Sequence, residues 1–456
     1  MSALAEPIAI ARTMPVLGIE GRILSATGLT IQAVGFPVPV GSLCEVDVAP
    51  GRRIAAEVIA FRKNITVLMP LNESHGLSEG QRVRHVTGSQ KIAVGPGLLG
   101  RIIDGMGTPC DGGSLVAADR FYPLQCPAPD AMTRPRIDAP MSVGIRSINA
   151  LLTPGCGQRL GVFAGTGVGK SILLGMMARH TAADVAVIAL VGERGREVGD
   201  FIERDLGPDG LKRSVVVVST SDQSPPLRVR ACLVATAVAE YFRDQGANVL
   251  LLMDSVTRMA MAGRQIGLAA GEPPATKGYP PSVFAMLPRL LERSGRTSKG
   301  SITGLYTVLV EGDDPNEPIS DAVRGILDGH VWLSRSLANR GHYPAVSVLE
   351  SVSRVMPDVV DQEHQSAAMK IKRLLATWNE IEDLVNIGAY ANGTNPDFDL
   401  VIRMRPAIEA FLRQGMNERV EFVEARAALL KLSAEIDAAQ ASIAQAARQA
   451  PAPRKS

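Results

Sequence analysis

The chain has 456 residues, of which 46% are hydrophobic, so it is long enough for about two to four domains that each bury an apolar core. Its 48 basic and 46 acidic residues nearly cancel to a formal charge of +2, and this balance gives no support to a nucleic-acid partner. The five cysteines are scattered and include no Cys-x-x-Cys pair, which argues against a disulfide framework or a zinc site and favours reduced thiols in a cytosol.

The N-terminal sequence has no basic segment ahead of a long apolar core, which argues against a secretory signal. No apolar run approaches the ~18 residues that a membrane-spanning helix needs. We therefore expect a soluble cytoplasmic protein that begins with a short segment at residues 1–13.

Residues 14–88 consist of short alternating runs broken by Gly, Pro and Asn, a pattern that predicts a small antiparallel β-barrel or sandwich. Only Phe36 and Phe61 supply aromatic rings there, whereas a barrel that grips single-stranded nucleic acid usually offers several. We interpret this region as a packing or ring-assembly module. The runs are 21–25, 29–34, 43–48, 54–61, 65–69 and 82–86.

Residues 89–358 begin with a Gly- and Pro-rich stretch at 92–142, which we interpret as a long connector. Largely apolar runs separated by helical stretches then predict parallel strands that are covered on both faces, as in a doubly wound α/β domain. The candidate core strands are 159–163, 185–191, 214–219, 248–253 and 303–310.

The first of these strands runs directly into a Gly-rich loop, Lys-Ser and a helical stretch, which is the arrangement of a P-loop. Backbone N–H groups of such a loop surround phosphate oxygens, its Lys reaches the β- and γ-phosphates, and its Ser binds Mg²⁺. Ala164 stands where the strict pattern has Gly, so the relaxed form of the motif is satisfied. The expected phosphate-binding residues are Gly165, Thr166, Gly167, Val168, Gly169, Lys170 and Ser171.

Two acidic residues follow core strands in the manner that nucleotide hydrolysis requires. Asp254 ends an apolar strand, as a Walker B acid does near the metal, although an Asp in this place could instead cap the next helix. Glu193 stands just beyond strand 185–191, where open α/β sheets have their active crevice, and we predict that it polarises water. Arg194 and Glu197 could contribute to this site or could be solvated charges at a helix start.

Beyond residue 357 the strand patterns stop, and apolar residues recur at helical spacing over 362–387 and 405–447. This pattern predicts a helical C-terminal domain at 359–448. The final residues, 449–456, are Pro-containing and basic, and we expect a disordered tail.

Several motifs together resemble the catalytic subunits of rotary ATPases: FAGTGVGKS at 163–171, GERGRE at 192–197, LLLMDSVTR at 250–258 and YPA at 343–345. A second set is similar to the ATPase of type III protein export in its flagellar form. That set comprises SDQS at 221–224, GEPPATKGY at 271–279, GSITG at 300–304, LVEGDD at 309–314 and DAVRGILDGH at 321–330. The resemblance is dense from residue 94 to 358.

The resemblance implies a RecA-like P-loop ATPase core with an N-terminal β-barrel, assembled as a homohexamer that binds ATP and Mg²⁺ between protomers. It implies that Lys170 and Ser171 bind phosphate and Mg²⁺, that Asp254 supports the metal through water, and that Glu193, with Arg194 beside it, is catalytic. Arg354, in ESVSR at 350–354, matches an arginine finger that enters a neighbour's site, and Tyr343 would pack on adenine. Ser347 departs from the family, which usually has Asp, Asn or His there.

The implied function is ATP hydrolysis coupled to delivery or unfolding of export substrates at the cytoplasmic face of the inner membrane. The implied partners are a stalk-like regulatory subunit, export-gate proteins, chaperones and export substrates, without nucleic acid. One alternative is the ATPase of a virulence injectisome, which shares every catalytic position. A more remote alternative is a Rho-like RNA translocase, which also combines a barrel, a P-loop core and a hexamer.

Overall fold

The computed structural model describes residues 18–72, 74–86, 90–310, 312, 314 and 316–449. The short segment predicted at 1–13, the tail predicted at 449–456 except for its first residue, and part of the motif at 309–314 lie outside the described residues.

In the described part of the N-terminal region, six antiparallel strands close into a barrel in the order β1-β2-β5-β4-β3-β6, with β6 pairing back onto β1. Alternate side chains such as Ile31, Val46 and Leu68 fill its interior, because a strand directs successive residues to opposite faces. The prediction of a β-barrel is confirmed. The strands are β1 (Glu20–Thr27), β2 (Thr30–Val34), β3 (Leu43–Ala49), β4 (Arg52–Arg62), β5 (Ile65–Pro70) and β6 (Arg82–His85).

The stretch that the sequence predicted as a connector contains short strands: β7 (Lys91–Val94), β8 (Ile102–Asp104) and β9 (Arg120–Pro123). β7 pairs antiparallel with β9, and β8 joins the edge of the central sheet. These strands have only three or four residues each, too few for a periodic pattern to emerge among the surrounding Gly and Pro residues.

The central sheet has the strand order β17-β16-β10-β15-β13-β11-β12-β8, and β14 pairs separately with β15. The five predicted core strands lie side by side and are parallel. Strand β17 returns antiparallel to β16 at one edge. The strands are β10 (Arg159–Ala164), β11 (Val185–Val191), β12 (Ser214–Ser219), β13 (Asn248–Asp254), β14 (Gly295–Arg296), β15 (Ser301–Leu309), β16 (Gly329–Leu333) and β17 (Val346–Ser353).

Helices cover both faces of this sheet, which explains why its strands are almost uniformly apolar. Alternate residues of one strand belong to different cores: Ile188 of β11 lies in the core that includes α1, α2 and the C-terminal helices, and Val187 lies in the core that includes α5 to α8. The helices are α1 (Arg146–Leu151), α2 (Lys170–His180), α3 (Gly195–Asp200), α4 (Gly207–Lys212), α5 (Pro225–Asp244), α6 (Val256–Ala270), α7 (Pro281–Leu291), α8 (Pro318–Ile326), α9 (Arg335–Asn339) and α10 (Met356–Val359), with a π-helical segment, Phe201–Leu206, between α3 and α4.

The C-terminal region is helical, as predicted, and consists of α11 (Gln362–Asn386), α12 (Pro396–Leu412) and α13 (Phe422–Gln449). The helical spacing read over 405–447 is divided between α12 and α13 by a loop at 413–421. The helices pack on α1 and complete the core on that face of the sheet. Within the described ranges, every helix is too short or too polar to cross a membrane.

Candidate active site

Three loops meet at one edge of the sheet because β10, β11 and β13 are parallel and their carboxyl ends share that edge. The loop after β10 is the P-loop, defined here as residues 164–171. The loop after β11 carries Glu193, and β13 ends at Asp254. The fold therefore brings these sequence-predicted residues to one crevice.

The P-loop turns sharply before α2 begins. Gly167 and Gly169 have φ angles of +79° and +87°, in the left-handed region where a side chain is unfavourable by roughly 1–2 kcal/mol. This turn sends the first turn of α2 toward the crevice, and no acidic residue stands in that turn. Its free N–H groups and positive helix end suit an anion.

Lys170 connects the two acids of the crevice. Its Nζ lies 2.6 Å from Asp254 Oδ1 and 3.6 Å from Glu193 Oε1. All three side chains are largely buried, with exposed fractions of 12%, 4% and 13% for Lys170, Asp254 and Glu193. One ammonium and two carboxylates thus share a site with little water to screen them.

Asp254 Oδ1 also accepts a hydrogen bond of 2.7 Å from the hydroxyl of Thr307 on the neighbouring strand β15. The interpretation of Asp254 as a helix cap is wrong, because Ser255 caps α6 by accepting a bond from the Arg258 N–H. Sequence analysis missed Thr307, although a hydroxyl within the apolar run 303–310 was the available signal.

A backbone hydrogen bond positions Glu193, and burial changes the pKa of its carboxyl. Its carbonyl accepts from the Ser221 N–H at 2.9 Å, and Gly192 before it has a φ of +74° and lies against the Arg258 side chain. Burial raises the pKa of the Glu193 carboxyl to about 7, against the opposing effect of Lys170. A carboxylate with a pKa near neutrality is suited to accept a proton.

The structure does not bring Arg194 into the crevice. Its side chain is 82% exposed and lies 3.5 Å from Glu197, as expected for solvated charges at a helix start. Ser171, in contrast, stands in the first turn of α2 and is exposed at the crevice edge.

Tyr343 lies beside the P-loop although it is far away in sequence. A Cβ on Gly169 would be 3.4 Å from Tyr343 Cε1, so the ring is in contact with the end of the loop. The Tyr343 side chain is 47% exposed, which leaves ring surface free to stack on a flat ligand. Pro344 follows through a cis peptide bond.

Arg354 lies near the amino-terminal ends of the parallel strands, whereas the P-loop lies at their carboxyl ends. Strand β17 begins opposite Leu333, the neighbour of Ala164, and ends with Ser353 opposite Gly329. Arg354 then donates from its backbone N–H to Asp328 O at 3.0 Å. About 15 Å of strand therefore separates it from the P-loop of its own chain, farther than a guanidinium can reach. Ser347 lies within β17, opposite Trp332.

The described residues contain no group of three or more His, Cys, Asp or Glu side chains placed to hold a metal ion. A metal at this site would need oxygen atoms from Asp254, the Ser171 hydroxyl, phosphate and water. That donor set fits Mg²⁺, which is bound through one or two carboxylates and substrate phosphates.

Comparison with known families places two matches on the chain. Residues 144–353 match the ATP synthase alpha/beta family, nucleotide-binding domain. Residues 360–431 match the T3SS EscN ATPase C-terminal domain. The first match includes the P-loop, both acids of the crevice, Tyr343 and the strand before Arg354.

Relatives match over nearly the whole chain. The flagellum-specific ATP synthase of Bacillus subtilis is 52% identical over 415 residues, which are 91% of this chain and 95% of that protein. The protein of the same name from Pseudomonas aeruginosa is 51% identical over 421 residues, covering 91% and 93%. The type 3 secretion system ATPase of Xanthomonas euvesicatoria is 51% identical over 399 residues, covering 87% and 90%.

Solved structures show the same fold. The assembled ATPase EscN from the type III secretion system of enteropathogenic E. coli matches with a TM-score of 0.86 and 44% identity over 91% of this chain and 100% of that one. EscN in complex with its central stalk EscO matches with a TM-score of 0.84 over the same shares.

Proposed function

The chain belongs to the ATP synthase alpha/beta family, in its branch of flagellum-specific and type III secretion ATPases, and from this premise we propose that it hydrolyses Mg-ATP to drive flagellar protein export. The observation that carries the proposal is Lys170 between Asp254 and Glu193 at the mouth of the P-loop. A phosphate cradle alone would bind a nucleotide, whereas a cradle with two acids can also assist its hydrolysis.

The triphosphate binds to the amides of residues 165–169 and the first turn of α2. Lys170 Nζ then turns from Asp254 toward the phosphate oxygens, whose larger negative charge competes with the carboxylate for the ammonium. This exchange frees an Asp254 oxygen beside the incoming phosphates, while Thr307 keeps the carboxylate in place.

Ser171 and Asp254 are the residues that would hold Mg²⁺, with water between Asp254 and the ion, and the bound ion would supply neutralisation of phosphate charge. Glu193 accepts the proton of the attacking water. Its buried carboxyl is suited to this step because a pKa of about 7 lies close to working pH. Tyr343 packs on the adenine ring with the exposed face that it presents beside Gly169.

Arg354 acts on the P-loop of a neighbouring protomer within a homohexameric ring. Its place at the far edge of the sheet supports this role, because the side chain cannot approach the phosphates bound by its own chain. A guanidinium supplied in trans stabilises charge on the transferred phosphoryl group and makes hydrolysis depend on assembly.

The protein works at the cytoplasmic face of the inner membrane, where a stalk-like subunit, export-gate proteins, chaperones and export substrates are its partners. The names of its relatives support the flagellar assignment, and the complex of EscN with its central stalk supports a stalk partner. The injectisome is the alternative, supported by a relative at 51% identity. A Rho-like role is disfavoured because the barrel exposes one ring, that of Phe61, while Phe36 is buried in its interior, and a barrel that grips single-stranded nucleic acid usually offers several rings.

Phosphate release measured against protein concentration tests the enzymatic part. Specific activity should rise steeply as rings form, and a constant value would contradict catalysis between protomers. Deletion of the gene tests the export part: loss of secreted flagellar proteins supports the assignment, and loss of needle proteins supports the injectisome. Turnover of the purified protein that is stimulated by RNA would support the Rho-like role.

A further inference from the structure

Gln414 joins Tyr343 to the C-terminal helices. It lies in the loop at 413–421, is only 7% exposed, and donates from its backbone N–H to Tyr343 O at 3.0 Å. The backbone of Tyr343, whose ring touches the P-loop, is therefore bonded to Gln414 in the loop after α12.

The side chain of Gln414 makes three hydrogen bonds, all to backbone groups. Its Oε1 accepts from Arg146 N at 2.7 Å, and its Nε2 donates to Gly144 O and Glu418 O, each at 2.8 Å. A buried amide that uses both its donors and its acceptor in this way has one orientation. Gln414 is thus fixed to the segment that enters α1.

Arg146 strengthens the same junction. Its guanidinium pairs with Glu418 and donates to Arg413 O at 3.2 Å. The contact to Arg413 restrains the residue before Gln414, and Gly415 after it donates from its N–H to Glu418 Oε2 at 3.2 Å. The Gln414 N–H therefore points at Tyr343 with little freedom.

The segment from Arg335 to Tyr343 contacts the P-loop at both of its ends. Arg335 Nη1 donates to Thr166 O at 3.0 Å, and the Tyr343 ring lies against Gly169. Arg335 restrains the loop near its start, where phosphate binds. The bond from Gln414 acts only at the other end, where the aromatic ring lies.

We propose that Gln414 is a positioning residue that fixes the Tyr343 ring for the nucleotide base and leaves phosphate binding unchanged. This inference rests on the proposed function, in which Tyr343 packs on adenine. It assigns to a residue of the C-terminal region a share in base recognition that sequence analysis gave to Tyr343 alone.

Two ligands separate these roles: ADP with Mg²⁺, which has a base, and tripolyphosphate with Mg²⁺, which has none. Calorimetry on the full chain should show about tenfold weaker ADP binding in Gln414→Met. The Kd of tripolyphosphate should stay within about twofold of the wild type, because the P-loop and Lys170 are untouched. A merely structural defect would weaken both ligands together.

Gln365→Met is the matched control, because Gln365 Nε2 also donates to two carbonyls, those of Pro357 and Val360, without a contact to Tyr343. It should change neither Kd. Gln414→Glu provides a second variant should Gln414→Met fold poorly. It keeps the acceptor for Arg146 N but loses both donors, and it should also weaken ADP selectively.

Tyr343→Ala completes the test. It should weaken ADP as much as Gln414→Met does, and the double variant should lose no more than either single one, since both act through one ring. Equal weakening of ADP and tripolyphosphate, or unchanged ADP binding in both Gln414 variants, would overturn the inference. Selective weakening by Gln414→Met but not by Tyr343→Ala would overturn it too. Failure of the proposed function has a different signature: Lys170→Ala would leave tripolyphosphate binding intact.

Discussion

Lys170 Nζ lies 2.6 Å from Asp254 Oδ1, a full ångström closer than its distance to Glu193 Oε1. The ammonium therefore balances the more deeply buried carboxylate first. Glu193 receives the weaker share of its charge, and burial keeps the pKa of Glu193 high. Burial and this weaker share of the ammonium leave Glu193 with a carboxyl that can take up a proton near neutral pH.

Removing Lys170 should affect folding as well as binding. Lys170→Ala leaves Asp254 buried without a cation, and we expect a loss of about 2–3 kcal/mol in the free energy of unfolding, together with loss of ADP affinity. Urea denaturation of Lys170→Ala/Asp254→Asn should show most of that stability recovered while ADP still fails to bind. Equal stability of the single and double variants would contradict the pairing.

Glu193→Gln should retain Mg-ATP binding and lower kcat by roughly 10²- to 10⁴-fold, because the amide cannot accept a proton. In the wild type, kcat/KM should rise with pH through about 7, since the raised pKa leaves the carboxyl protonated below that value. Stopped-flow phosphate release across pH 5.5–8.5 measures this limb. Unchanged turnover in Glu193→Gln would show that another group activates water.

Arg354→Ala should lower turnover on the order of 10³-fold, because its side chain acts on a neighbour. It should cost at most about 1 kcal/mol of protomer stability, since the guanidinium makes one long bond, of 3.4 Å to Leu327 O, in its own chain. Mixing it in equal amounts with Lys170→Ala should restore up to about a quarter of the wild-type interfaces, those in which an intact P-loop meets an intact arginine. A mixture no more active than its components would argue against the trans role.

Gly192→Ala should misplace Glu193. At a φ of +74°, an added Cβ would lie 2.8 Å from Arg258 Cβ, so we expect about 1–3 kcal/mol of destabilisation and a drop of about 100-fold in kcat. Gly195→Ala is the control, because a Cβ at Gly195 meets open space. Thermal unfolding and phosphate release measure both effects, and equal behaviour of the two variants would refute the argument.

His364 should make the docking of the C-terminal helices sensitive to acid. It is fully buried, donates from Nε2 to Ala150 O at 2.7 Å and stacks on Phe422, and burial lowers its pKa below the ordinary value. Because the native state disfavours the charged ring, stability is present above about pH 6.5 and falls as the pH drops, by at most about 1.4 kcal/mol per pH unit.

Urea titrations at pH 7 and pH 5.5 test this expectation. His364→Gln should lose less stability between the two values than the wild type does, since its amide can still donate to Ala150 O but takes up no proton. Asp361 and Arg426 also lie nearby, and Arg426→Gln controls for their ion pair. Identical slopes for the wild type and His364→Gln would contradict the prediction.

The sequence predicted the parts of the fold that depend on local pattern. Continuous apolar runs marked the five parallel core strands, and β11 and β12 have the predicted bounds. It did not predict β16 and β17, because β16 has only five residues, and β17, at the edge of the sheet, mixes buried with exposed positions, so neither forms a long apolar run. The break between α12 and α13 was missed because the helical spacing persists in the residues on either side.

In the candidate site, too, the residues marked by a local sequence pattern were predicted and the others were not. The P-loop and the two acids were predicted because they stand at the ends of apolar strands. Thr307 and Gln414 were not, since each acts through a contact distant in sequence: Gln414 accepts from Arg146 across 268 positions. Such pairs require the fold before they can be recognised.

Strand β17 runs antiparallel to β16, so it carries the chain away from the P-loop, and this separation determines where in the cell ATP is hydrolysed. Under the proposed mechanism, every folded copy carries one half of two different reaction centres, a cradle on one flank and a guanidinium on the other. A solitary copy, however well folded, leaves the nucleotide pool intact. ATP is hydrolysed only where protomers assemble, so hydrolysis is confined to the place at which the ring is recruited.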